Sequence, residues 1–239
     1  DVRVFTDQDG IRHFSLNSNN SSELAADGAP SAYIEYIEET FIYPATDTVK
    51  DILVIGAGGF TIGLEDETNR YTFVDIDGSL KELAEEHFLP APLGDNKTFI
   101  ATPARGFLAG HDKQYDLIVL DTYQGDTTIP EHLVTQEFFA AIRQALKPEG
   151  IMVANFIASP VFQSAFSRNL DATLKSIFPF ITRQVIGPFN GWDQRETNIA
   201  NILYFYKERP DYKEQFYNDN KNRIFFDKPQ RKPVGPSRP

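Results

Sequence analysis

Up to Pro44 the chain carries two alternating stretches and one helical stretch; beyond it, short apolar runs take turns with segments of helical period. Val2–Phe5 and Arg12–Leu16 alternate around Asp9-Gly10, a dipeptide that favours a tight hairpin. Residues 17–31 are polar and rich in Ser, Asn, Gly and Ala, which predicts a loop. Between Ser31 and Tyr43, Tyr33, Ile34, Ile37 and Phe41 recur at helical spacing, and Pro44 closes that helix. Ile52–Ile55 is a continuous apolar strand, as expected where both faces of a sheet are covered. Tyr71–Val74, Thr98–Ala101, Leu117–Leu120 and Ile151–Ala154 read as further strands. Helices are expected over Thr61–Asn69, Leu80–Phe88, Ala104–Ala109, Thr135–Leu146 (stopped by Pro148 and Gly150) and Phe162–Phe178. Phe180–Ile186 and Ile199–Tyr206 complete the sheet as an antiparallel pair around a loop at 190–198. The alternation predicts an α/β fold: a seven-stranded, mostly parallel sheet with helices on both faces, preceded by a small β-hairpin region.

Composition narrows the chemistry. A chain of 239 residues, 41% hydrophobic and 24% charged, can bury a large core without staples. It has no cysteine, which excludes disulfides, thiolate metal sites and cysteine nucleophiles. Its four histidines, His13, His87, His111 and His132, show no metal-ligand spacing, so no metal site is expected. No apolar run is long enough to span a bilayer, and a cytoplasmic protein is expected. The chain opens on Asp1 and its single methionine is Met152, so a fragment or a processed form is expected. Net charge is −11, and because 207–239 holds nine Lys/Arg against five Asp/Glu, the remainder carries −15. Such a field repels nucleic acid and anionic membranes and attracts cations. The last eleven residues hold four prolines and three basic groups, which reads as an extended tail.

Three elements suggest a nucleoside site. Gly56-Ala57-Gly58-Gly59 follows the first buried strand directly, where glycines let the backbone turn tightly and approach a ligand. Asp75 stands at the tip of the second strand, where a carboxylate can accept both ribose hydroxyls; alternatively it or Asp77 caps the next helix. Asp121 stands at the end of the fourth strand, facing either the ligand crevice or a local turn. The pattern is Rossmann-like, with an appendage at 1–43, a nucleoside-binding domain at 44–207 and a tail at 208–239.

These residues, in this order, resemble the spermidine synthase family, particularly its relatives fused to membrane transporters. Ile52 to Gly59 looks like the family's first nucleotide motif, and Val74-Asp75-Ile76-Asp77 like its Val-Glu-Ile-Asp motif. Ala104-Arg105-Gly106-Phe107-Leu108 is similar to its Asp-Ala-Arg-x-Phe-Leu segment, and Tyr115 to Asp121 to its catalytic strand. Ile129 to Leu133 with Thr135 to Phe139 resembles the stretch after it, and Tyr33-Ile34-Glu35 the Tyr-Gln-Glu segment. The resemblance covers roughly residues 2–157 and fades beyond.

The resemblance implies transfer of an aminopropyl group from decarboxylated S-adenosylmethionine to a polyamine or related cationic amine, without a metal, and a homodimer. It implies Asp121 as the base, Tyr33 as its catalytic partner, and Gly56, Gly58, Gly59, Asp75 and Ala104 as nucleoside-binding residues. Tyr123, Gln124 and Glu35 would line the acceptor side. The chain departs from the family's pattern at Gly59, Gln124 and Pro103, each of which replaces an acid, and at Ile34, which replaces a glutamine. Charge-assisted hydrogen bonds contribute about 1.5–3 kcal/mol each, so weak putrescine binding is expected. Two other readings use the same fold: a methyltransferase taking intact S-adenosylmethionine, and a non-catalytic nucleoside-binding domain.

Overall fold

The computed structural model describes residues 2–16, 19–44, 48–123, 129–162, 164–187 and 200–207. The chain begins with an antiparallel sheet of β1 (Val2–Thr6), β2 (Arg12–Leu16) and β3 (Asn19–Leu24). The expected hairpin is therefore present, and the expected loop supplies a third strand. Asn19-Asn20-Ser21-Ser22-Glu23 has no apolar alternation, so its sequence carries no strand signal. Helix α1 (Ala32–Ile37) follows, and a single π-helical turn, Glu38–Ile42, extends it. Lys50 Nζ closes that turn by donating to the carbonyls of Phe41 and Ile42 at 3.0 and 2.7 Å.

The main sheet contains β4 (Asp51–Ile55), β5 (Arg70–Asp75), β6 (Lys97–Ala101), β7 (Tyr115–Leu120), β8 (Leu146–Ala158), β9 (Thr182–Ile186) and β10 (Ala200–Lys207). Its order is β6-β5-β4-β7-β8-β10-β9; β4 to β8 run parallel, and β10 is antiparallel to both neighbours. Its helices are α2 (Leu80–His87), α3 (Ala104–Leu108), α4 (Gln136–Ala145) and α5 (Ala165–Ile177). One core, with Leu53, Ile118, Phe139, Ile142 and Leu174, packs α4 and α5 on one face of the sheet. The other, with Ile52, Val54, Phe73, Phe60 and Phe14, joins the opposite face to α1, α2 and the small sheet. This is the expected seven-stranded, mostly parallel architecture.

The expected helix over Thr61–Asn69 is replaced by turns. Phe60 and Gly63 both take positive φ, 61° and 67°, which breaks helical propagation. A Cβ on Gly63 would lie 2.3 Å from the Tyr71 ring, so only glycine permits that approach. Asp66 organises the rest, accepting from Thr68 N, Asn69 N, Asn69 Nδ2 and Tyr71 Oη. Helix α5 also starts later than its apolar period suggests, at Ala165, where Ser164 Oγ caps Ser167 N. The tail at 208–239 and the loop at 190–198 lie outside the described residues.

Candidate functional site

Parallel strands in register present their C-terminal ends side by side. Ile55 pairs with Val74 and with Leu120, and Leu120 pairs with Ala154. The next residue on each strand is therefore Asp75, Gly56, Asp121 or Asn155, in a row along one rim. Asp121 N donates to Ile55 O at 2.9 Å, and Gly56 N to Val74 O at 2.9 Å. A Cβ on Gly56 would stand 2.1 Å from the Asp121 carbonyl, so glycine is what lets the two strand exits touch.

The glycine turn and Asp75 form one hydrogen-bonded unit. Asp75 Oδ2 accepts from Ala57 N at 2.9 Å, and Oδ1 from Asp77 N at 3.1 Å. Both oxygens keep a lone pair, and the side chain is half-buried at the rim. Asp77 in turn accepts from Ser79 N and Oγ just before α2. Ile76 projects between them, 76% exposed, an apolar surface beside a carboxylate. Thr102 N donates to Asp75 O at 2.7 Å, which brings the start of α3, and with it half-buried Ala104, to the same rim.

Strand β3 of the small sheet covers the other side of the turn. Gly59 N donates to Ser22 Oγ at 2.9 Å, and a Cβ on Gly58 would meet Ser22 Oγ at 2.8 Å. A Cβ on Gly59 would lie 2.5 Å from the Phe88 ring, so a side chain at this position would have to displace that buried ring.

Asp121 is held from two sides. Tyr33 Oη, on α1, donates to Oδ2 at 2.8 Å, and Asn155 Nδ2 donates to Oδ1 at 3.1 Å. Burial raises the carboxyl above its ordinary value, and the two hydrogen bonds only partly offset this. Burial and then the charge of Asp121 push the Tyr33 phenol well up, so it remains a donor at neutral pH. Tyr123 is raised for the same two reasons. Its hydroxyl is committed to strand β8, donating to Asn155 O and accepting from Ile157 N, both at 2.9 Å. The ring, not the hydroxyl, is what Tyr123 can offer a ligand.

The structure thus gathers Gly56, Gly58, Gly59, Asp75, Ala104, Asp121, Tyr33 and Tyr123 around one rim. Glu35 is exposed on α1, and Gln124 lies outside the described residues. Asn155, Ser22 and Ile76 went unrecognised in the sequence. A lone amide inside the apolar run Ile151–Ala158 was a readable signal for Asn155. Ser22 has none, because its partner is 37 residues away. Among the described residues no cluster of His, Asp and Glu could hold a metal ion, and no helix is long and apolar enough to cross a membrane.

A family model described as the spermine/spermidine synthase domain matches residues 32–188. A probable polyamine aminopropyl transferase of Bifidobacterium longum is 32% identical over 155 residues, covering 60% of this chain and 32% of that protein. An N-terminal histidine N-methyltransferase of Emericella nidulans is 33% identical over 182 residues, covering 72% of this chain and 30% of that one. The chain spans about a third of the length of these two curated relatives. The crystal structure of a probable spermidine synthase from Corynebacterium glutamicum superposes with a TM-score of 0.71 at 22% identity, covering 91% of this chain and 79% of that one.

Proposed function

The chain belongs to the spermine/spermidine synthase family, and we propose that it transfers an aminopropyl group from decarboxylated S-adenosylmethionine to a small cationic amine. The observation that carries this reading is the setting of Asp121. It is a carboxylate at a parallel strand's C-terminal end, raised by burial, with an uncharged donor on each oxygen. A base kept more basic than a surface carboxylate suits the removal of a proton from an ammonium.

Asp75 retains a lone pair on each oxygen for the ribose hydroxyls, and exposed Ile76 beside it offers an apolar face for a base. Ala104 and the start of α3 border the same space, while the Gly56–Gly59 turn lets the backbone approach the sugar. When bound, the nucleoside supplies a sulfonium: the acceptor nitrogen bonds to the adjacent aminopropyl carbon as the carbon–sulfur bond breaks and a neutral thioether departs. Asp121 first pairs with the acceptor's ammonium, then takes one of its protons and frees the attacking lone pair. Tyr33 fixes the direction of that carboxylate from α1. Tyr123 contributes its ring to the acceptor side. The surplus of negative charge draws cationic acceptors toward the site.

The family match across 32–188 supports aminopropyl over methyl transfer. The test is an assay with decarboxylated S-adenosylmethionine and a panel of primary amines, with intact S-adenosylmethionine in parallel. Aminopropylated amine and methylthioadenosine in equal amounts are expected. A methylated product from the intact nucleoside alone, or nucleoside binding without transfer to any amine, would overturn the reading.

A further inference from the structure

We infer that Asn155 is a positioning residue that keeps Asp121 in its anionic, proton-accepting state. The inference rests on the aminopropyltransferase reading for its chemistry and on geometry for its residues. Asn155 is 2% exposed, and its carboxamide is fixed in the strand adjacent to Asp121. Its Nδ2 donates to Asp121 Oδ1 at 3.1 Å. Its own Oδ1 is buried and has no hydrogen-bond partner among the described residues. A buried carbonyl without a donor is unfavourable, and such groups call for a reason. Reversing the amide would bring Oδ1 against a carboxylate oxygen, two acceptors with no hydrogen between them. An acceptor at Asp121 Oδ1 therefore accounts for the observed orientation, and the orphaned oxygen is its consequence.

The backbone of Asn155 adds a second restraint. Its carbonyl accepts from Tyr123 Oη, whose ring is tethered two residues after Asp121 on the same segment. The amide and the base are thus held in register by both strand pairing and a phenol. Among the described residues, Tyr33 from α1, Tyr123 from the segment after β7 and Asn155 from β8 are the groups that face the carboxylate; β4 contributes the backbone of Ile55. Of these, Asn155 alone donates to Oδ1, so its removal leaves that oxygen without a donor among the described residues. The protonated acid then gains over the anion.

Asn155→Leu keeps the approximate volume and removes the donor. The acid limb of kcat against pH, measured with both substrates saturating, should move up by about one to two pH units, the size of one hydrogen bond to a charged group. Activity on the alkaline plateau should fall less than activity on the acid limb, and affinity for the nucleoside should change little. Asn155→Ser, which restores a shorter donor, should recover part of the shift. A uniform fall in kcat at every pH, with the limb unmoved, would reduce Asn155 to a packing residue. Carbon-13 NMR of the Asp121 carboxyl reads the same titration without turnover. If the wild type transfers to no amine, the functional reading fails, yet the NMR midpoint still decides the role of Asn155. Should Asn155→Leu not fold, Asn155→Ala is read by the same two measurements.

Discussion

Strand β7 has one aspartate near its start and another just past its end, and the two live in opposite surroundings. Asp116, near its start, accepts from Asp51 N at 2.8 Å and from Lys147 Nζ at 2.7 Å. Lys147 also reaches Asp51 at 2.7 Å, and Arg70 bonds the other oxygen of Asp51. Burial works to raise Asp51, but the bonds to Lys147 and Arg70 outweigh it and hold the carboxyl below its ordinary value. Asp121, at the far end, meets a phenol and an amide, and burial prevails. Cations turn one carboxylate into a brace; neutral donors leave the other raised and suited to accept a proton. Ligand chemistry belongs where a charge is only partly compensated.

The largest expected effect separates the two ends by activity. Asp121→Asn removes the proton acceptor while keeping the shape, and transfer should fall by about 100- to 10,000-fold, the range for a lost general base. Asp116→Asn, at the braced end, should leave the turnover number within about twofold, since it touches no reacting group. Comparable losses in both variants would end the distinction between brace and base.

Stability should change with opposite signs. A raised folded-state pKa means that native Asp121 binds more protons than the unfolded chain, so its ionisation opposes folding at neutral pH. Asp121→Asn should therefore raise the melting midpoint at pH 7, a gain that vanishes below about pH 4, where the carboxyl is protonated in both states. Asp51 runs the other way: its lowered pKa gives stability above the unfolded value, lost as pH falls through the folded one. Asp51→Asn should lower the midpoint by about 2–4 °C, equivalent to about 1 kcal/mol for a partly exposed pair at this chain length. Thermal melts at pH 7 and pH 3.5 read both signs. A lowered midpoint for Asp121→Asn would mean that its hydrogen bonds, not its buried charge, dominate.

The same contrast explains what the sequence could disclose. Two strands of the parallel sheet contain continuous apolar runs closed by glycine or aspartate, so fold and rim were legible in Ile52–Ile55, Leu117–Leu120 and the residues after them. The rim's finer arrangement depends on partners distant in the chain. Tyr33 lies 88 residues from Asp121, and nothing local announces their contact. β3 is a polar edge strand whose purpose is to set Ser22 against Gly59. The turns after Phe60 replace a helix because Asp66 and Gly63 answer to Tyr71, not to helical period. Tyr123 shows the limit most plainly: its position is readable, but the commitment of its hydroxyl to β8 is not.

The smallest effect concerns an exposed carboxylate with no cation partner among the described residues. Glu35 follows Tyr33 by two residues on α1, which places it roughly 200° around the helix, away from the face that reaches Asp121. An exposed charge that acts only through solvent is screened over about 8 Å at physiological salt. Glu35→Gln should therefore change the acceptor KM by less than about twofold, and that change should disappear as salt is raised. The turnover number and the nucleoside affinity should stay the same. A larger rise in KM that persists in high salt would require Glu35 to touch the bound amine. That outcome would add a second acid to the acceptor side and restore part of the charge recognition missing at Gly59 and Gln124. A small, salt-sensitive effect would leave Asp121 as the carboxylate on which acceptor binding and proton removal both depend.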